Sequence, residues 1–182
     1  MLMLALWQLW HNVPLCAALL CAVAAQLTKV FTHYHAAREW DWRQVLTSGG
    51  MPSSHAALVN GLACGVASRQ GLGSDLFALV AILAIVVMYD AQGVRLHAGR
   101  QAAVINALTA ELPVEHPAST RRGPGEAPQR SLQLPTSVGH TRAQVVAGAA
   151  LGWLLGGALV MSGSGSGVTS GGAVASTWRY SP

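Results

Sequence analysis

Four segments of the chain contain no Lys, Arg, Asp or Glu, and they constrain its fold more than any other feature. They cover residues 13–28, 55–68, 76–89 and 143–161. The last has 19 residues, close to the roughly 20 that a helix needs to cross the hydrocarbon core of a bilayer. The second and third have 14 each, a length that also fits buried helices of a soluble core. Because only 10% of the whole chain is charged, we predict an all-α integral membrane bundle of about four transmembrane helices.

Small residues recur at helical spacing within two of these segments. Gly148, Gly152 and Gly156 share one helix face, and Gly61 and Gly65 repeat the pattern in the second segment. Small residues allow helix backbones to approach closely inside a bilayer. The spacing therefore predicts tight contacts between helices at both sets of glycines.

Positive charge is distributed unevenly between the two sides that a four-span topology defines. Nine of the eleven cations fall in the first and third connections: Lys29, Arg38, Arg43, Arg95, Arg100, Arg121, Arg122, Arg130 and Arg142. Arg69 and Arg179 fall on the opposite side with both termini. Because Lys and Arg accumulate on the untranslocated side, we expect the basic loops on the cytosolic or stromal side and the termini outside.

The remaining segments suggest a simple domain organisation. Residues 1–161 form the membrane helical domain, with a mobile Pro- and Arg-rich loop at 113–135, and residues 162–182 form a flexible Gly- and Ser-rich tail. Apolar residues at helical spacing within 100–112 predict an amphipathic helix lying along the membrane interface on the basic side. Residues 1–25 fit either a signal peptide or a retained first span, and the missing basic n-region favours the span.

A glycine-rich turn at residues 48–55 leads directly into the second apolar segment. Backbone N–H groups at a helix N-terminus bind anions, and Ser53 or Ser54 can add a hydroxyl donor. The alternative is that one of these serines is an ordinary N-cap. His55 opens the same helix, where an imidazole can protonate a leaving oxygen.

A second histidine, His140, precedes the fourth apolar segment, so the topology brings it to the same membrane face as His55. Lys29, Arg43 and Arg95 fall on that side too. One histidine attacking phosphorus, the other donating a proton and cations stabilising the charge would suffice for phosphoryl transfer. The alternative for each cation is an interfacial anchor.

Asp90 lies at the polar end of the third segment, and a carboxylate at a membrane edge usually has a partner. It can pair with Arg95 or Lys29, or it can orient a catalytic imidazole. The sequence does not choose between these roles.

Metal, cofactor and nucleic-acid chemistry find little support in the sequence. The three cysteines all lie in apolar segments, and the seven histidines show no CxxC or HExxH context. No basic stripe is interleaved with aromatic residues, so the net charge of +4 fits anionic lipid headgroups better than nucleic acid. We expect membrane lipids as partners, no cofactor, and a chain that is also compatible with a homo-oligomer.

Several motifs together resemble the divergent branch of the type 2 phosphatidic acid phosphatase superfamily, which is related to acid phosphatases and vanadium-dependent haloperoxidases. They are Lys29, Trp40-Asp41-Trp42-Arg43, Ser48-Gly49-Gly50-Met51-Pro52-Ser53-Ser54-His55, Tyr89-Asp90-Ala91-Gln92-Gly93-Val94-Arg95, Gly99-Arg100-Gln101-Ala102, and Gly139-His140-Thr141 with Gln144-Val145 and Gly148. The resemblance covers most of the chain. It implies a metal-independent phosphatase that acts on a lipid or prenyl phosphate.

The resemblance also implies roles for individual residues. His140 corresponds to the nucleophile and His55 to the general acid, whereas Ser54 and the adjacent backbone hold phosphate oxygens. Lys29 contributes charge, and Arg43 or Arg95 replaces the arginines of the superfamily motifs.

Three positions depart from the superfamily pattern. Leu134 and Ala36 stand where it has arginine, and Gln144 stands where it has the aspartate that orients the nucleophilic imidazole. A neutral amide can orient an imidazole but cannot neutralise its cation. These departures favour a second hypothesis, a catalytically reduced homologue that binds phosphate headgroups or only packs helices. A transporter or channel subunit is the third, but no span carries the midplane charges typical of one.

Overall fold

The computed structural model describes residues 1–46, 49–113, 116 and 133–163, and every regular element within them is helical. The α-helices are α1 (Leu2–Trp10), α2 (Val13–Ala37), α3 (Ser54–Gln70), α4 (Asp75–Gln92), α5 (Val94–Glu111) and α6 (Arg142–Gly163). A short 3₁₀ helix covers Trp42–Leu46. The all-α prediction is confirmed.

Three stretches of the described helices are long and apolar enough to cross a membrane: Val13–Ala37, Asp75–Glu111 and Arg142–Ser162. They correspond to the first, third and fourth predicted segments. The second forms α3, which has 17 residues and includes Asn60, Arg69 and Gln70. These polar residues lower its hydropathy, and α2, α4 and α6 all pack around it. Its low hydropathy matches this enclosed position, since a helix surrounded by protein exposes little surface to lipid.

The predicted contacts at the glycines are confirmed. A Cβ at Gly152 would lie 2.7 Å from the carbonyl oxygen of Ala57 on α3. A Cβ at Gly61 would lie 2.8 Å from the Sγ of Cys21 on α2. Both distances are shorter than real Cβ contacts, so α3 touches its two neighbours through backbone surfaces that only glycine leaves open.

One polar network crosses the packed helices. The Nε1–H of Trp153 on α6 donates to Oδ1 of Asn60 at 2.9 Å, and Nδ2 of Asn60 donates to the carbonyl oxygen of Ala56 at 2.8 Å. Asn60 is only 6% exposed. Its amide is therefore satisfied on both sides, as a buried polar group needs to be.

One predicted boundary was wrong. The first span was expected to end at residue 28 and Lys29 to lie in a connection, but α2 continues to Ala37 and buries Lys29 within the helix. The expectation ended the element at the first charged residue, whereas the helix continues through it.

The predicted amphipathic helix at 100–112 is part of α5, which begins earlier, at Val94, and follows α4 after a break at Gly93. Its location along the membrane interface stays a prediction. Most of the predicted loop at 113–135 and nearly all of the predicted tail at 162–182 lie outside the described residues.

Candidate active site

The candidate site begins at the turn before α3. Gly50 has φ of +92°, a left-handed conformation that favours glycine. A Cβ added to it would lie 3.5 Å from Cδ of Lys29, so the lysine side chain runs beside this turn. Ser53 then caps α3, because its Oγ accepts from the N–H of Ala56 at 3.3 Å. The N–H groups of Ser54 and His55 follow at the open, positively polarised end of the helix.

Main-chain hydrogen bonds join this turn to the segment that carries His140. The N–H of His140 donates to the carbonyl oxygen of Ala91 at the end of α4, at 3.0 Å. The N–H of Ser53 donates to the carbonyl oxygen of Gln144 in the first turn of α6, also at 3.0 Å. Three helix ends, those of α3, α4 and α6, therefore meet at one place.

The two histidines singled out in the sequence lie side by side at this junction. The ring centroids of His55 and His140 are 6.2 Å apart, and the rings are nearly perpendicular. His55 is half-buried, whereas His140 is 2% exposed. This geometry is an edge-to-face contact, so the two imidazoles are direct neighbours.

The imidazole of His140 is buried without a polar partner. Neither Nδ1 nor Nε2 has a hydrogen-bond partner among the described residues. A buried polar group left in this state costs roughly 1–3 kcal/mol and needs an explanation. A bound group that hydrogen-bonds to these nitrogens would remove the cost.

The charge around His140 favours its neutral form. Burial and, to a smaller extent, the positive charge of Lys29, His55 and Arg95 together lower the pKa of His140 to about 4. At neutral pH one ring nitrogen therefore has a free lone pair, as a nucleophile requires. The same cations attract an anion to the site.

Asp90 and Arg95 form an ion pair at the edge of the site, in which the Nε–H of Arg95 donates a hydrogen bond to Oδ2 of Asp90. Both side chains are partly exposed, and both interact electrostatically with His55. Of the partners that the sequence left open for Asp90, the structure shows Arg95.

Gln144 has a structural role at the start of α6. Its Oε1 accepts from the backbone N–H of Thr141 at 2.9 Å, and the Thr141 hydroxyl accepts from the N–H of Gln144 at 3.4 Å. This reciprocal pair is a capping box. The amide oxygen that was expected to orient His140 is therefore engaged by a neighbouring backbone group.

The structure does not bring every predicted residue to the imidazoles. Arg43 is exposed on the 3₁₀ helix, where its backbone N–H donates to Oδ1 of Asp41 at 3.0 Å. Ser54, in contrast, is buried beside His55. Among the described residues, no three His, Cys, Asp or Glu side chains gather closely enough to hold a metal ion.

Sequence reasoning missed two features of the site. The segment 133–139 lies on α5, and hydrogen bonds to Asn106 fix it there. An aromatic cluster also extends from the site end of α2: the rings of Tyr34 and Trp40 stack at 4.4 Å, and Trp40 stacks on Trp42 at 6.1 Å. The density of tryptophan after residue 39 was the available signal for the second feature.

The comparisons with known proteins identify the family of this chain. A membrane protein of Bacillus subtilis (strain 168), named uncharacterized membrane protein YuiD, is 50% identical to the chain over 101 residues. The match covers 56% of this chain and 64% of the relative, so the chain spans less than two thirds of that protein. No solved structure matches. Residues 10–155 match the family described as the Divergent PAP2 family. They include both histidines and every helix that forms the site, and the chain therefore belongs to the Divergent PAP2 family, as an integral membrane protein.

Proposed function

We propose that this protein is a membrane phosphatase that hydrolyses a phosphate monoester of a lipid or prenyl alcohol through a phosphohistidine. The observation that carries the proposal is the pairing of two imidazoles. One is buried and has no hydrogen-bond partner among the described residues, and the other is half-buried at a helix N-terminus. Membership of a PAP2 family supports it.

The reaction would take place in two steps. A ring nitrogen of His140 attacks phosphorus, the bond to the leaving oxygen breaks, and His55 donates its proton to that oxygen. Water then attacks the phosphohistidine, with His55 accepting a proton. Inorganic phosphate leaves, and both imidazoles return to their starting states.

The surrounding groups would stabilise the phosphoryl oxygens. Lys29 and Arg95 supply positive charge, and the N-terminus of α3 with Ser54 supplies N–H and hydroxyl donors. Arg95 is better placed than Arg43 for this role, because its charge acts on both imidazoles. Ser53 contributes through its position, since its hydroxyl already caps α3.

The location of the site supports an amphiphilic substrate. Trp40 is 52% and Trp42 67% exposed, just beyond the end of α2. Exposed tryptophans mark the level of the lipid headgroups in membrane proteins. A site at this level meets a phosphate that is attached to a membrane-anchored chain.

Phosphate release by the purified protein in detergent micelles tests the proposal, with phosphatidic acid and prenyl monophosphates as substrates. His140→Ala should abolish turnover. His55→Ala should lower it by about 10²–10⁴-fold on a lipid phosphate, but less on an aryl phosphate, whose leaving group needs no proton.

His97→Ala is the matched control, because it removes an exposed imidazole from α5 and should leave activity unchanged. Acid-labile phosphate trapped on His140 would identify the intermediate. Turnover that survives His140→Ala would refute the mechanism.

A catalytically reduced phosphate-binding protein is the second candidate. The observation that favours it is the capping role of Gln144, which leaves His140 without a carboxylate partner among the described residues. Losing the carboxylate of a His-based triad costs about 10⁴ in rate. Binding of a lipid phosphate without hydrolysis, abolished by His140→Ala, would establish this alternative.

A further inference from the structure

The segment that delivers His140 to the site is held by a side chain 34 residues earlier, on α5. Asn106 makes two hydrogen bonds to one residue of the segment. Its Nδ2 donates to the carbonyl oxygen of Leu134 at 2.8 Å, and its Oδ1 accepts from the N–H of Leu134 at 2.9 Å. A carboxamide that meets both polar groups of one residue fixes the register and the direction of that backbone.

Two glycines then bring the segment against the helix. A Cβ at Gly99 of α5 would lie 2.7 Å from the carbonyl oxygen of Thr136. A Cβ at Gly139 would overlap the backbone of Leu96. Asn106, Gly99 and Leu96 lie on one face of α5, so the segment 133–139 follows that face from Leu134 up to His140.

Among the described helices, α5 packs on α4 alone. Its opposite face is open, and Val104, Ile105 and Leu108 are 59%, 46% and 59% exposed. The close backbone contacts of α5 with the segment 133–139 are therefore on the face that includes Gly99. That face ends beside Arg95, whose backbone lies next to Gly139.

We propose that Asn106 is a positioning residue: by fixing Leu134 on α5 it sets the depth and orientation of His140, which it does not touch. An effect of Asn106 on turnover rests on the proposed phosphatase function. Its effect on the burial of His140 does not depend on that function. Because α5 joins α4 at the break at Gly93, a shift of α5 would move His140 relative to His55.

The experiment measures how fast diethyl pyrocarbonate modifies each imidazole in the full-length protein in micelles, by mass spectrometry of peptides. Asn106→Leu keeps the shape of the side chain and removes both hydrogen bonds. We expect it to raise the modification rate of His140 about tenfold, the factor that corresponds to losing two hydrogen bonds. His55, on α3, should keep its rate and is the internal reference.

Three further variants sharpen the test. Asn106→Asp keeps the acceptor for Leu134 and should have a smaller effect. Gly99→Ala wedges a methyl group against Thr136 and should reproduce the rise without changing Asn106. Gln101→Leu removes an exposed amide from the open face of α5 and should change nothing.

The results separate this inference from the proposed function. An unchanged His140 rate in Asn106→Leu overturns the inference, and so does an equal rise for His55, which would mean general loosening. If lipid phosphates are hydrolysed, Asn106→Asp should lower kcat, and Asn106→Leu should lower it more. If nothing is hydrolysed but His140 alone becomes reactive, the inference holds and the phosphatase proposal fails.

Discussion

Two interfaces of this protein are held together in different ways. Where α6 meets α3, glycines at 148, 152 and 156 bring backbones into contact, and packing provides the cohesion. Where α5 meets the segment 133–139, glycines also allow close contact, but two hydrogen bonds from the side chain of Asn106 are added to it. The first interface lies along apolar helices, in which small residues are the available means of association. The second lies next to the site, where a loop has to be held in one register.

The difference suggests that the interface between α3 and α6 tolerates added side-chain volume poorly. Gly148→Val should lower the free energy of unfolding by about 3 kcal/mol or more, because its Cβ would overlap the carbonyl oxygen of Ser53, which cannot move aside cheaply. Thermal unfolding in micelles measures this. Gly157→Ala on the same helix is the control, since a Cβ there meets nothing within 4 Å. Equal effects of the two variants would show that close backbone contact does not stabilise the interface between α3 and α6.

The contribution of the candidate site to stability should depend on pH, whereas that of the interface between α3 and α6 should not. His140 has a pKa of about 4 in the folded protein against an ordinary value of 6.5. The unfolded chain therefore binds the additional proton between pH 6.5 and 4, and the free energy of unfolding falls as the pH falls through that window, by up to about 3 kcal/mol.

Comparison with His140→Gln isolates this effect, because that variant lacks the titrating group and should lose less stability between pH 7 and 4. His97→Gln controls for the loss of one exposed histidine. Parallel stability curves for wild type and His140→Gln would show that burial does not hold the imidazole neutral.

The smallest expected effect concerns the one hydrogen bond described between side chains of α3 and α6. Trp153→Phe keeps an aromatic ring but removes the N–H that donates to Asn60, so it should cost about 1 kcal/mol in the free energy of unfolding. Trp42→Phe, at an exposed position outside the packed helices, is the matched control. A cost as large as that of Gly148→Val would mean that polar contacts, and not packing, dominate this interface too.

Much of the fold could be predicted from local features. Runs of apolar residues identify α2, α3, α4 and α6, and the four-residue spacing of glycines identifies the faces that touch. The boundary at Lys29 could not be predicted, because a charged residue ends a hydropathy run but need not end a helix. Lys29 lies within α2, and its side chain runs beside Gly50.

The sequence by itself determined that this chain is a helical membrane protein, because apolar runs do not depend on packing detail. It also predicted that His55 and His140 lie close together, and the structure places their rings side by side. Only the tertiary structure decided which partners the polar groups take. Asp90 pairs with Arg95, Gln144 caps α6, and Asn106 holds Leu134. For Asp90, the sequence had left Arg95, Lys29 and an imidazole open as partners. The choice among them depends on where α4, α5 and α6 end relative to one another, which no local pattern encodes.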